Sequence, residues 1–247
     1  MTLPVFILDD LTAQLATGGP VALDGAEGHH AARVRRVRPG ERVVLVDGAG
    51  TWVEAVVREM SGERVVLAAG APTTEPEQAP RLVLVQALPK GERAELAVEL
   101  ATEGGADEVV PWAAARCVTR WSGERGEHAR RRWTAVAREA GKQARRPRLP
   151  LVAPLASTDD LVVRVRGAAL AVVLHESAER SLAGVVVPVE GEVVVVVGPE
   201  GGITADELAA LRSAGALVCR LGPSVLRTSS AGLAALAVLA VASGRWS

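Results

Sequence analysis

Five consecutive valines, Val193–Val197, constrain the fold more than any other stretch of this 247-residue chain. A β-branched run favours extended backbone. With no polar position to face water, it reads as a strand buried on both faces, the pattern of a parallel sheet covered by helices. Leu82–Leu88 reads as a second continuous apolar strand, and Val109–Pro111, Ala169–Leu174 and Leu217–Leu221 as further strands. Between and after them, Arg93–Glu103, Glu127–Gln143 and Ser230–Ser243 carry helical patterns. This alternation predicts an α/β domain over residues 81–247.

Residues 1–72 follow a different rule. Arg42–Val46, Trp52–Arg58 and Arg64–Ala68 are short strand-like runs, separated by the turn pairs Asp47-Gly48 and Ser61-Gly62. Closely spaced strands with such turns predict a small β-barrel. The stretch APTTEPEQAP that follows has three prolines and no large apolar side chain, so 73–80 is expected to be a linker between domains.

Composition narrows the function classes. The two cysteines, Cys117 and Cys219, lack metal-ligand spacing, so neither a disulfide framework nor a metal site is expected. The start MTLPVFILDD has no basic residue ahead of an apolar stretch, and the apolar run Ala231–Ala242 is too short to span a bilayer. The expected setting is cytoplasmic, with no membrane partner. A net charge of −1 hides an uneven distribution: between Arg116 and Arg148 eleven basic residues face three acidic ones, and a second basic cluster runs from Arg33 to Arg42. Such clusters fit a nucleic-acid surface or a solvated helix face equally well.

Three apolar strands end in loops that could bind a ligand: Leu174-His175-Glu176, Gly198-Pro199-Glu200-Gly201-Gly202, and Leu221-Gly222-Pro223-Ser224. Ligands of parallel sheets sit beyond such strand ends. In the glycine loop, Thr204 and Glu207 have capping-box spacing for the next helix. The loop has no P-loop lysine and no dinucleotide fingerprint, and Glu200 would repel a phosphate. A ligand with an adenosine portion and no phosphate fits better; a tight strand-to-helix turn is the plainer alternative. Arg227 precedes the last helix, with Ser229 or Ser230 expected as its cap. A cation at a helix N-terminus is poorly placed unless an anion answers it. That anion is either a ligand group or a nearby carboxylate, Glu200 or Glu176. Trp52, Trp112, Trp121 and Trp133 read as packing residues.

The segments HHAARVRRVRPGERVVLVDGAG, KGERAELAVELATEGGADEVVPWAAARCV, EAGKQARRPRLP, VGPEGGITADELAALRSAG and LGPSVLRTSSA, in this order and over nearly the full length, resemble the bacterial 16S rRNA uracil-N3 methyltransferases of the SPOUT superfamily. The resemblance implies a PUA-like barrel for RNA, a trefoil-knotted α/β domain, a homodimer, and 16S rRNA within the 30S subunit as partner. It implies S-adenosyl-L-methionine as cofactor, held by Leu174, His175 and Glu176, by Gly198, Pro199, Gly201 and Gly202, and by Leu221, Gly222, Ser224 and Leu226. Arg227 is then expected to stabilise negative charge on the target, with Glu200 as candidate base. RNA contacts are expected from His29, His30, Arg33, Arg35, Arg36 and Arg38, from Lys90, Arg93 and Arg116, and from Arg145 and Arg146. Three positions depart from the family pattern: Ser229 stands where a Glu is common, Ala144 where a Gly usually precedes the Arg at 145, and Glu92 where an Asp is common. Readings of another class are a sister enzyme acting on tRNA, or a non-catalytic RNA-binding protein.

Overall fold

The structure is a computed structural model that describes residues 3–91 and 93–246; Glu92 lies outside the described residues. The chain forms two compact units, one running to Glu77 and including Gly141–Leu149, the other comprising Gln78–Ala140 and the chain from Pro150 onward.

The first unit contains β1 (Val5–Ile7), α1 (Leu11–Ala16), β2 (Val21–Leu23), α2 (Gly25–His29) with a π-helical turn at His30–Val34, β3 (Arg42–Val46), β4 (Thr51–Ser61), β5 (Arg64–Ala69) and β6 (Thr73–Thr74). The three strands expected from sequence are β3, β4 and β5, and the basic run after His29 is helical. The sheet order is β1-β3-β4-β5-β2, with β6 on β4. Only the β1–β3 pair is parallel. The expected barrel is therefore a mixed half-barrel, because β1 and β2 lie at opposite edges. Leu11, Leu23, Leu45 and Leu67 fill its core. Residues 141–149 pack here through Lys142, whose side chain is 4% exposed and whose ammonium lies 2.8 Å from Glu27 Oε1. The other Glu27 oxygen accepts from the Ile7 N–H at 3.2 Å.

The second unit contains β7 (Arg81–Ala87), α3 (Arg93–Glu103), β8 (Glu108–Trp112), α4 (Gly123–Gln143, whose end packs with the first unit), β9 (Leu151–Val152), α5 (Thr158–Gly167), β10 (Leu170–Leu174), β11 (Glu192–Val197), α6 (Ala205–Ser213), β12 (Leu217–Cys219) and α7 (Thr228–Ala242). The sheet order is β12-β10-β11-β7-β8-β9, and every pairing is parallel. The five valines are its centre: Val193–Val196 pair with Leu82–Val85 on one side and with Leu170–Val173 on the other.

Some boundaries move for identifiable reasons. β12 stops at Cys219 because the Arg220 N–H donates to the Arg180 carbonyl, outside the sheet. The last helix starts at Thr228, two residues before the expected Ser230, with Arg227 as its N-cap. Neither serine caps it, because the Ser230 hydroxyl donates to the Arg227 carbonyl at 3.2 Å and Ser229 is buried in the first turn. The apolar run in β7 is broken by Gln86, fully buried.

At the amino end of the sheet, Arg164 of α5 bonds Glu108 at 2.6 and 2.8 Å and Glu192 at 2.8 Å. Burial pushes the Glu108 carboxyl up, but Arg164 and Arg81 outweigh it and hold it below the usual carboxylate range. Trp112 and Trp133 are core residues, and Trp121 meets Trp133 edge to face at 4.9 Å.

Candidate active site

The loops after β10, β11 and β12 converge on one cleft of about 740 Å³ at the carboxyl end of the parallel sheet. That size and position suit a small organic ligand. All three sequence-expected loop sets line it: Leu174, His175 and Glu176; Gly198, Pro199, Gly201 and Gly202; Leu221, Gly222, Ser224 and Leu226. Glu200, Arg227, Arg93 and Arg116 line it too. His175 and Glu176 both reach the cleft because they lie past the last residue of β10, where strand alternation no longer applies.

The glycine loop is shaped by close packing. A Cβ on Gly198 would sit 2.7 Å from Ile203 Cγ1, so no larger residue fits without displacement. Gly202 takes φ 75° and closes a turn with its N–H on the Pro199 carbonyl at 2.8 Å. Thr204 and Glu207 form the expected capping box at the start of α6. Glu207 also accepts from the Ala115 N–H at 2.7 Å and from the Thr158 hydroxyl at 3.2 Å. Burial pushes its carboxyl up, but the donors from Ala115, Thr204 and Thr158 hold it below the usual range. One carboxylate thus ties the loop's exit to two neighbouring segments.

The charges on the cleft divide into engaged and free. Glu200 accepts from the Lys90 N–H at 3.2 Å and lies 3.9 Å from Arg93. Lys90 does not line the cleft; its backbone holds Glu200. Arg116 donates to the Gly201 carbonyl at 3.0 Å. The exposed guanidinium of Arg227 has no hydrogen-bond or ion-pair partner among the described residues, so the carboxylate pairing considered from sequence does not form. His175 Nδ1 accepts from the Ser177 N–H at 3.3 Å and meets the Ser177 hydroxyl at 2.8 Å, which leaves Nε2 as the nitrogen free for a ligand.

The remaining basic residues expected to contact RNA lie on the first unit. His29 pairs with Glu63 at 2.9 Å, and Arg33 stands 3.9 Å from the same carboxylate. His30 packs edge-on against Phe6 at 5.8 Å. Arg35, Arg36 and Arg38 are exposed, and Arg145 reaches the Leu3 carbonyl at 3.3 Å. Arg146 is half-buried.

Sequence reasoning missed Thr228 and Arg220, which line the cleft, and Gln86 behind it. Gln86 is the single polar residue in LVLVQAL, and that interruption was the available signal.

Comparison with known proteins agrees with this geometry. Residues 76–240 match the RNA methyltransferase domain family, and residues 23–68 the RNA methyltransferase PUA domain family. A Mycobacterium bovis protein named ribosomal RNA small subunit methyltransferase E is 48% identical over 235 residues, covering 93% of this chain and 89% of that protein. The Bacillus subtilis protein of the same name is 29% identical, with 93% of each chain covered. A Neisseria gonorrhoeae ribosomal RNA small subunit methyltransferase E, solved bound to S-adenosyl methionine, superposes with a TM-score of 0.85 at 26% identity, covering 97% of this chain and 98% of that one. By these matches the chain belongs to the ribosomal RNA small subunit methyltransferase E family, with an RNA methyltransferase domain and a PUA domain.

Proposed function

We propose that the chain methylates N3 of a uracil in 16S rRNA, using S-adenosylmethionine. The observation that carries this reading is the meeting of three strand-end loops in a cleft lined also by Arg227, whose guanidinium has no partner among the described residues. The cleft fits the cofactor's chemistry: Leu174, Leu221 and Leu226 supply apolar wall, the glycine loop supplies exposed backbone, and Glu176 offers a carboxylate to a cationic ligand. When bound, the cofactor supplies an electrophilic methyl group on a sulfonium.

The protein's part is position and charge. Uracil N3 is protonated at neutral pH and nucleophilic only once that proton leaves. Glu200 takes the proton, and Arg227 stabilises the charge that develops on the uracil oxygens. Holding N3 in line with the methyl carbon contributes roughly 7–11 kcal/mol. Arg35, Arg36, Arg38, Arg145 and Arg146 of the first unit grip phosphates, and the target base leaves its stack to reach the cleft. The working form is a homodimer, and the exposed apolar Val225 at the rim of the cleft suits a partner subunit.

Labelled methyl transfer to undermethylated 30S subunits, free 16S rRNA and tRNA tests the substrate class. Label on small-subunit rRNA is expected. Label on tRNA alone would move the chain to a sister activity, and cofactor binding without any transfer would favour a non-catalytic role.

A further inference from the structure

Gln86, buried in the middle of the sheet, makes a chain of hydrogen bonds to the cleft. Its Nε2 donates to the Ala87 carbonyl and to Thr228 Oγ1, each at 3.0 Å. A carbonyl can only accept, so the amide nitrogen must be the end that faces Ala87 and Thr228. The Thr228 hydroxyl, accepting from Gln86, sends its own proton to the Gly198 carbonyl at 2.7 Å. Three elements are thereby joined: β7, the first residue of α7, and the first residue of the glycine loop.

The packing of α7 makes this reach possible. Leu84 and Gln86 share a face of β7 about 6.6 Å apart. Gly232 and Thr228 are one helical turn apart, about 6 Å. Gly232 lies over Leu84, so close that a Cβ there would fall 2.8 Å from Leu84 Cδ2. With that pair in contact, the matching spacing brings Thr228 over Gln86.

Gln86 Oε1 has no partner among the described residues. An unpaired buried acceptor opposes folding, and an apolar side chain of the same size would pack without that penalty. A polar side chain in an otherwise apolar strand that braces two walls of a ligand cleft breaks the local rule for a buried strand, and such breaks concentrate at functional sites. We propose that Gln86 is a positioning residue: through Thr228 it holds the Gly198 carbonyl and the Arg227-bearing end of α7 in the geometry that receives the cofactor. This rests on reading the cleft as the S-adenosylmethionine site.

The test uses the full chain and three variants, Gln86→Met, Thr228→Val and Thr228→Ser. Calorimetry gives the S-adenosylmethionine Kd, and thermal unfolding gives Tm. Gln86 does not line the cleft, so Gln86→Met is the decisive variant. It is expected to raise Kd about tenfold, as for loss of one well-placed hydrogen bond, while still unfolding in a single cooperative thermal transition. Thr228→Val is expected to weaken binding similarly, and Thr228→Ser to restore it. A Gln86→Met protein that binds the cofactor like wild type overturns the proposal and leaves the cofactor reading standing. A wild-type chain that binds no S-adenosylmethionine overturns the cofactor reading, and the proposal with it.

Discussion

The N–H of Arg146 donates to the Gly141 carbonyl at 2.9 Å and that of Arg145 to Lys142 at 3.1 Å, closing the C-terminus of α4 with Arg145 left-handed at φ 57°. This is a Schellman closure, in which glycine is the favoured residue at the left-handed position. Among the described residues the other non-glycine with positive φ is Arg36, φ 54°, which follows the π-helical turn of the same unit. An arginine at a position where glycine is easier argues for a use of the cation. Arg145→Gly is expected to stabilise the chain by about 0.5–1 kcal/mol in urea unfolding. The same variant should bind rRNA more weakly, with the salt dependence flattened by about 0.7–0.9 for one lost phosphate contact.

Gly232→Ala tests the close approach of α7 to the sheet. Helix propensity alone would favour alanine by about 1 kcal/mol. The clash with Leu84 is expected to win, lowering stability by about 1–3 kcal/mol. Denaturant midpoints read the sign directly.

Stability should fall in acid, and the direction follows from two carboxylates. Glu108 and Glu207 both sit below the usual range in the fold, so each contributes stability above the unfolded value of about 4.3 and loses it as pH falls through its folded value. Urea midpoints measured from pH 7 to pH 3 should be flat at first and then decline. Glu207→Gln is expected to shallow that decline. Glu108→Gln, which leaves Arg164 partly unpaired in a site where the Glu108 side chain is 6% exposed, should cost about 3 kcal/mol at neutral pH.

Arg227→Ala is expected to slow single-turnover methyl transfer by about a hundredfold, as for loss of one preorganised donor at a charged transition state. Because Arg227 is assigned to the target and not to the cofactor, its S-adenosylmethionine Kd should stay within a few-fold of wild type. Calorimetry beside rapid-quench transfer separates the two.

Much of this was legible in the sequence because it rests on local rules. The valine run, the capping box at Thr204 and Glu207, and the strand-end loops each follow from neighbours in the chain. What was illegible depends on partners far apart in sequence. Residues 141–149 join the first unit through Lys142 and Glu27, separated by 115 positions. Gln86 meets Thr228 across 142 positions, and no local pattern announces such a bond. The Ser caps expected for the last helix failed for a related reason: Thr228 directs its hydroxyl to Gly198, and the chain turns helical before either serine.

The measurement that tests the central claim most directly is reverse transcription across 16S rRNA methylated in vitro by this chain. A methyl on N3 occupies the pairing edge of uracil and stops the polymerase. The account predicts one strong stop at a single uridine, dependent on S-adenosylmethionine and appearing about a hundredfold more slowly with Arg227→Ala. Methyl incorporation with read-through at every uridine would contradict N3 as the target atom.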